Sequence, residues 1–252
     1  MTDTVGLDVE AVTVSFGDLT VIEDVSFGVD PGTVTCLIGP NGSGKTTLLR
    51  VITGLLQPDS GTVTRPTTGA RPVGYLAQAP AFRSQFSVRE TLSFYADLVG
   101  EDVDSDSAME RVGLGGVRDR RVEALSGGMT RLLGIAQATI GDPGLLVLDE
   151  PSSGLDPMMS HHITETIAEL ADEGAAVIVA THDLGAVSRI ADDTVLIDRG
   201  HVAATGAPNE LLADTGASDL EEAMSALVSH EGDEVATRTA QSPRANGEGG
   251  DA

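Results

Sequence analysis

The stretch Gly39-Pro40-Asn41-Gly42-Ser43-Gly44-Lys45-Thr46-Thr47 sets a glycine, four residues and then Gly-Lys-Thr, the spacing of a phosphate-binding loop. Such a loop needs a strand before it and a helix after it. Val34 to Ile38 is a short, β-branched, apolar run, and Lys45 to Ile52 reads as a helix ending near Gly54. Glycines 39, 42 and 44 allow the tight turn that aims backbone N–H groups inward, where they and the helix N-terminus meet phosphate charge. On this reading Lys45 reaches the β- and γ-phosphates of a nucleoside triphosphate, and the Thr46 hydroxyl ligates Mg²⁺. Lys45 is also the only lysine in 252 residues; the other fourteen of the fifteen basic side chains are arginine.

Composition narrows the setting. A chain of this length with 40% hydrophobic residues can fill the core of one large α/β domain. The formal net charge of −24 means most of the surface repels a phosphate backbone, so no nucleic-acid partner is expected. Abundant Asp and Glu with almost no lysine suits a protein kept soluble in very high salt, which screens self-repulsion within a short Debye length. That halophilic reading predicts unfolding or loss of activity when salt is removed, whereas stability in dilute buffer would mark an ordinary acidic protein. Cys36 is the single cysteine, which excludes an intrachain disulfide and suits a small core residue. No basic segment leads into an apolar one at the N-terminus, and no apolar run approaches the roughly 18 residues of a membrane helix. The expectation is a cytoplasmic chain whose work at a membrane requires a membrane partner.

Along the chain, Val9 to Phe16 and Val21 to Val29 alternate apolar with polar residues around Gly17-Asp18, an antiparallel pair ahead of the loop. Pro58 to Gly61 is a turn followed by Val63, and Val73 to Leu76 is a short strand closed by Gln78. From Ala79 to Ile140 the character is helical. Ser87 and Glu90 form a capping box opening a helix through Leu98, and a shorter helix spans Ser107 to Val112. Leu145 to Leu148 is a buried strand ending in Asp149-Glu150, and Asp156-Pro157 opens a helix running to Leu170. Val177 to Ala180 is the next buried strand, ending at Thr181-His182-Asp183. Thr194 to Asp198 and His201 to Ala204 form a hairpin, and Asp219 to Val228 a last helix. The expected fold is α/β, a mainly parallel sheet with an N-terminal antiparallel β-layer and a helical subdomain. Beyond His230 the composition predicts a disordered polar tail.

These residues resemble the nucleotide-binding subunit of an ATP-binding cassette (ABC) transporter over roughly residues 5 to 228. Gly39 to Thr47 matches the family's phosphate loop, Gln78 its Q-loop, and Leu125-Ser126-Gly127-Gly128-Met129 its signature motif. Leu145 to Glu150 matches the Walker B strand, Ser153-Gly154-Leu155-Asp156 the D-loop, and His182 the switch histidine. Any one of these alone is weak, but together and in order they are specific. The resemblance implies a P-loop NTPase cassette over 1–229, with a helical subdomain at about 79–140 inserted in a RecA-like core and a tail at 230–252.

The resemblance also implies roles. Asp149 would hold Mg²⁺, Glu150 would orient and deprotonate the attacking water, and His182 would touch the γ-phosphate. Gln78 would sense Mg²⁺ and the γ-phosphate, an assignment carried by the resemblance alone. Phe16 matches the adenine-stacking aromatic, with a core role as the competitor. Ser126 caps a helix whose N–H groups and dipole form a second anion site. In the family that site serves the γ-phosphate held by another copy, so two chains close head to tail on two ATP molecules and drive an integral membrane permease from its cytoplasmic face. Identical and homologous second cassettes both fit. A soluble cassette ATPase serving metal-centre or cluster assembly is the alternative.

Two departures stand out. Met129 replaces the commonest Gln, and Gln137 stands where many members carry Arg. Leu-Ser-Gly-Gly-Met with Gly134 to Ala138 looks like ABC-2 type exporters, particularly copper-processing subunits that help mature nitrous oxide reductase. The segment Gly216 to Ala223 also resembles the end of ABC-2 export subunits. Met158-Met159 and His161-His162 offer thioether and imidazole groups that suit copper, but the bland reading of a helix face near a dimer contact is the stronger one.

Overall fold

The computed structural model describes residues 6–67, 69–100 and 104–228. The expected tail at 230–252 lies outside them. β1 (Leu7–Phe16) and β2 (Leu19–Val29) pair antiparallel, as their alternation requires. β4 (Ser60–Thr64) adds to the free edge of β1, so the segment read as a turn and one valine is a third strand of this layer. Its polar sequence Ser-Gly-Thr-Val-Thr hides the signal. Gly61 is required there: a Cβ would fall 2.4 Å from the carbonyl oxygen of Ala11, where β1 bulges with φ 49°.

The second sheet has six strands in the order β5 (Val73–Leu76), β6 (Leu145–Asp149), β7 (Ala176–Ala180), β3 (Val34–Ile38), β8 (Asp193–Asp198), β9 (His201–Gly206). All neighbours are parallel except the β8–β9 hairpin. β3, β6 and β7 are buried along their whole length, which explains their unbroken apolar runs. Alternate side chains divide between two cores. Leu37, Val147 and Ile178 meet α1 (Lys45–Ile52) and the antiparallel layer; Cys36, Leu148 and Val179 meet the helices of the other face. Cys36 is the core residue expected, and burial pushes its thiol up to about 12.

Among the described residues three α-helices separate β5 from β6: α2 (Val88–Val99), α3 (Ser105–Arg111) and α4 (Gly127–Thr139), with two single-turn 3-10 helices between the last two. The Ser87–Glu90 capping box is formed. α5 (Pro157–Asp172) begins at Asp156, whose carboxylate accepts from the N–H groups of Met158 and Met159. α6 (Leu184–Ile190) and α7 (Pro208–Thr215) escaped the sequence reading, while α8 (Leu220–Leu227), as short as α7, was anticipated. This topology brings the carboxyl ends of β3 and β6 to one side, where crevices of parallel sheets hold ligands.

Candidate active site

A cleft of about 320 Å³ opens there, lined by Val21, Asn41, Gly42, Gly44, Lys45, Thr46, Thr47, Gln78, Asp149 and Glu150. Its floor is the glycine loop. Gly39 (φ 144°) passes so close to β8 that a Cβ would sit 2.1 Å from the Ile197 carbonyl oxygen. Gly44 (φ 108°) would drive a Cβ to 2.5 Å from Ile22 Cδ1. Each glycine is therefore fixed both by its backbone angle and by a neighbour. Gly44 caps α1 without a side-chain hydrogen bond.

Lys45 Nζ donates to the carbonyl oxygens of Gly39 (2.7 Å) and Pro40 (2.9 Å). Burial lowers its pKa, opposed by Glu150 and Asp149. Asp149 ends β6 and is 2% exposed. Burial raises its carboxyl above the ordinary range, opposed by a hydrogen bond from the Thr46 hydroxyl and by Lys45 and Arg50, while Glu150 adds to the rise. Glu150 stands in the left-handed region at φ 51°, a costly conformation for a non-glycine residue that clusters at functional sites. Its N–H donates to the Ala180 carbonyl (2.9 Å), tying the end of β6 to β7. Its Oε2 lies 2.8 Å from His182 Nδ1, an ion pair when the imidazole is protonated, and this buried oxygen has no hydrogen-bond partner. Ser43 Oγ in the loop is likewise buried without one.

The other anticipated residues divide. His182 follows β7 with a side chain 63% exposed, so it is not a core histidine. Phe16 is 53% exposed, which removes the core role from its two readings. It sits at the end of β1 outside the cleft wall, whereas Val21, across the same hairpin, is in the wall. Ser126, Gly127 and Gly128 are not part of the cleft. Ser126 Oγ accepts from the Met129 N–H and opens α4, while Met159 of α5 packs where a Cβ on Gly128 would be, 2.3 Å from its Cγ. Among the described residues no group of three or more His, Cys, Asp or Glu side chains is placed to hold a metal ion. Met158 is exposed and His161 pairs with Glu165 at 3.2 Å.

One contrast is general to the molecule. Of the eight described α-helices, α2, α3, α5, α6, α7 and α8 carry a carboxylate at the N-cap or in the first turn; α1 and α4 carry none. In so acidic a chain, these two N-termini are left free for a foreign anion. Sequence reading missed Arg131, one helical turn past Gly127 on α4, which donates to the Gln78 backbone carbonyl and feels both Asp149 and Glu150. Its spacing from Gly127 was the available signal. A larger cavity of about 490 Å³ includes Arg111, Asp142 and Glu173 in its wall, but its one cation already pairs with both carboxylates at 2.7 and 3.1 Å.

A glycine loop opening a helix, with paired carboxylates at the end of a parallel strand beside it, defines a nucleotide-binding cassette of the P-loop class. A family model described as "ABC transporter" matches residues 22–153, and the chain belongs to the ABC transporter family as an ATP-binding subunit; the family hydrolyses ATP. It is 36% identical over 222 residues to Nod factor export ATP-binding protein I of Mesorhizobium japonicum, covering 83% of this chain and 65% of that protein. It is 35% identical over 227 residues to the protein of the same name in Paraburkholderia xenovorans, covering 85% and 75%. Solved relatives include an ATP binding subunit of an ABC transporter, at TM-score 0.76 and 27% identity over 88% of this chain and 98% of that one. A nucleotide-free ATP-binding cassette from an ABC transporter gives TM-score 0.72 at 27% identity, over 88% and 95%.

Proposed function

We propose that this chain dimerises on ATP, hydrolyses it with Glu150 as the base, and drives a separate membrane permease. The observation that carries the reading is the pair of carboxylate-free helix N-termini, one inside the cleft and one outside it. Loop amides between Gly39 and Thr47, including those of Asn41 and Thr47 and that of Ser43 once it leaves the Pro40 carbonyl, hold the phosphates, and Lys45 exchanges its two carbonyl partners for β- and γ-phosphate oxygens. The buried Glu150 Oε2, without a hydrogen bond and 2.8 Å from His182 Nδ1, is where a water proton is accepted. His182 holds the γ-phosphate beside it, and the exposed Phe16 ring stacks on adenine.

Thr46, Asp149 and Gln78 would hold Mg²⁺, for which hydroxyl, carboxylate and amide oxygens are suitable hard donors. Bound Mg²⁺ supplies charge neutralisation at the β- and γ-phosphate oxygens. Ser126, Gly127 and Gly128 complete the site of a second copy or of a homologous cassette.

For the permease, the support is a surface where aromatic residues gather. Arg83 stacks on Phe86 at 5.0 Å and Phe94 at 4.9 Å, and Tyr95 meets Phe82 and Phe94 edge-on. In a chain with only five Phe and two Tyr, such a concentration suits a docking face. No described helix is long and apolar enough to cross a membrane. The permease reading puts the chain on the cytoplasmic face, bound through its partner, and the excess of Asp and Glu with a single lysine supports a high-salt cell interior. Export is the proposed direction, supported by the names of the relatives; the ABC-2 and copper-processing assignments remain narrower proposals resting on the Leu-Ser-Gly-Gly-Met pattern. Nothing favours the soluble assembly alternative.

The test is Glu150→Gln. It is expected to bind ATP and accumulate as a dimer by light scattering, with phosphate release reduced about 10²–10⁴-fold. Ordinary turnover by this variant would overturn the assignment of the base.

A further inference from the structure

β5 and α4 approach so closely that glycine is needed on each. A Cβ on Gly74 of β5 would fall 2.0 Å from the Ala138 carbonyl oxygen, and one on Gly134 of α4 would fall 2.5 Å from Leu76 Cδ1. Two arginines bond the pair from opposite directions. Arg71, two residues before β5, donates through Nη2 to the carbonyl oxygens of Gln137 (3.0 Å) and Ala138 (2.6 Å) in the last turn of α4. Arg131, on α4, donates to the carbonyl of Gln78, two residues past β5. α4 has no basic residue in its own last turn, and its C-cap Ile140 has left the helical conformation at φ −57°, ψ 127°. Arg71 therefore supplies from outside the positive charge that a helix C-terminus favours.

We propose that Arg71 and Arg131 are positioning residues that clamp α4 to β5 as one rigid unit, so that Gln78 at this chain's cleft and Ser126–Gly128 at the second copy's cleft move together. Neither arginine lines the cleft. ATP that draws Gln78 inward in one site thereby aligns the helix N-terminus that walls the other, which couples the two sites. Burial lowers the pKa of both arginines; the Arg71 bonds are part-buried, whereas the Arg131 bond to Gln78 is exposed. The inference rests on the dimer reading above and adds the residues that carry the coupling.

Arg71→Met and Arg131→Met keep an unbranched stem and remove the donors. The Hill coefficient for ATP hydrolysis is expected to fall from a value approaching the two sites to about 1. Affinity of the dilute Arg71→Met chain for a fluorescent ATP analogue should stay within about twofold, because Arg71 does not line the cleft; Arg131→Met, which releases the Gln78 carbonyl, is read by its cooperativity alone. Arg71→Lys and Arg131→Lys retain a cationic donor and should recover part of the cooperativity, which a loss of folding alone would not predict. Should the methionine variants fail to fold, Gly134→Ala pushes α4 off β5 against a movable leucine tip and is expected to lower the Hill coefficient in the same direction. Variants with the parent's cooperativity, or a parent with a Hill coefficient of 1, overturn this inference alone; a parent that neither hydrolyses ATP nor dimerises on it overturns the proposed function as well.

Discussion

The N-termini of α1 and α4 are alike in lacking carboxylates and unlike in everything around them. α1 begins at Gly44, left-handed and without a side-chain cap, above a cleft that holds Lys45, Asp149 and Glu150. α4 begins at Ser126, whose hydroxyl is already committed to the Met129 N–H, and both Ser126 and Gly127 are exposed. The first end thus has uncommitted amides and the chemical groups; the second has a dipole, two glycines and no carboxylate, histidine or lysine in the helix, its one charged side chain, Arg131, being bonded to the Gln78 carbonyl. One can bind and react, the other can only bind. A chain that keeps a bare anion site exposed, away from its own cleft, makes structural sense when a second chain brings the anion.

Breaking the α1 side should have the largest effect. Lys45→Ala removes two charge-assisted bonds to phosphate of about 1.5–3 kcal/mol each, so ATP affinity by calorimetry should drop by about 100-fold or more. Unchanged affinity would mean that the loop is not the cradle. On the α4 side, Ser126→Asp separates structure from function. Aspartate still caps the helix and suits its dipole, so melting temperature and single-chain ATP affinity should hold. The new carboxylate would face a phosphate, a like-charge meeting that costs several kcal/mol, and ATP-driven dimerisation in the Glu150→Gln background should weaken about 10–100-fold. A variant that dimerises as its parent does would show that the two N-termini do not share a ligand.

The two ends were also unequally legible. Strand, glycine loop and helix at 34–52 sit where pattern placed them, because burial on both faces of β3 leaves an unbroken apolar run and the loop spacing is rigid. Ser126 as a cap was equally readable. What pattern could not give was where Ser126 lies relative to Lys45, since that depends on how three helices fold back between β5 and β6. β4 was hidden by its polarity, and Arg65 and Arg71 by their function: each reaches from a loop to the carboxyl end of a distant helix, α1 for Arg65 and α4 for Arg71. Glu150 could be singled out by its place after Asp149, but its positive φ and its orphaned oxygen belong to the fold alone.

The smallest expected effect sharpens why the α1 side is costly to keep. Burial raises the Asp149 carboxyl, so between the unfolded and folded pKa values the native chain binds a proton that the unfolded chain has lost. Stability from this group therefore falls as pH rises through that window, and above it the nucleotide-free protein bears the full cost of a buried charge. Asp149→Asn keeps an acceptor for the Thr46 hydroxyl and removes the charge. At neutral pH its melting temperature, without nucleotide, should exceed the parent's by about 2–4 °C if the relief is about 1 kcal/mol, while ATP hydrolysis is lost. The informative quantity is the difference between parent and variant across pH, because general acid effects on the remaining carboxylates cancel in it. That difference should shrink on acidification as Asp149 takes up its proton. Ser126→Asp, which places its charge at an exposed end, should show no comparable gain on acidification, since little desolvation attends it. Equal pH profiles for the two sites would mean that the enclosed N-terminus carries no stored cost, and that the inequality between the two ends lies in geometry rather than in burial.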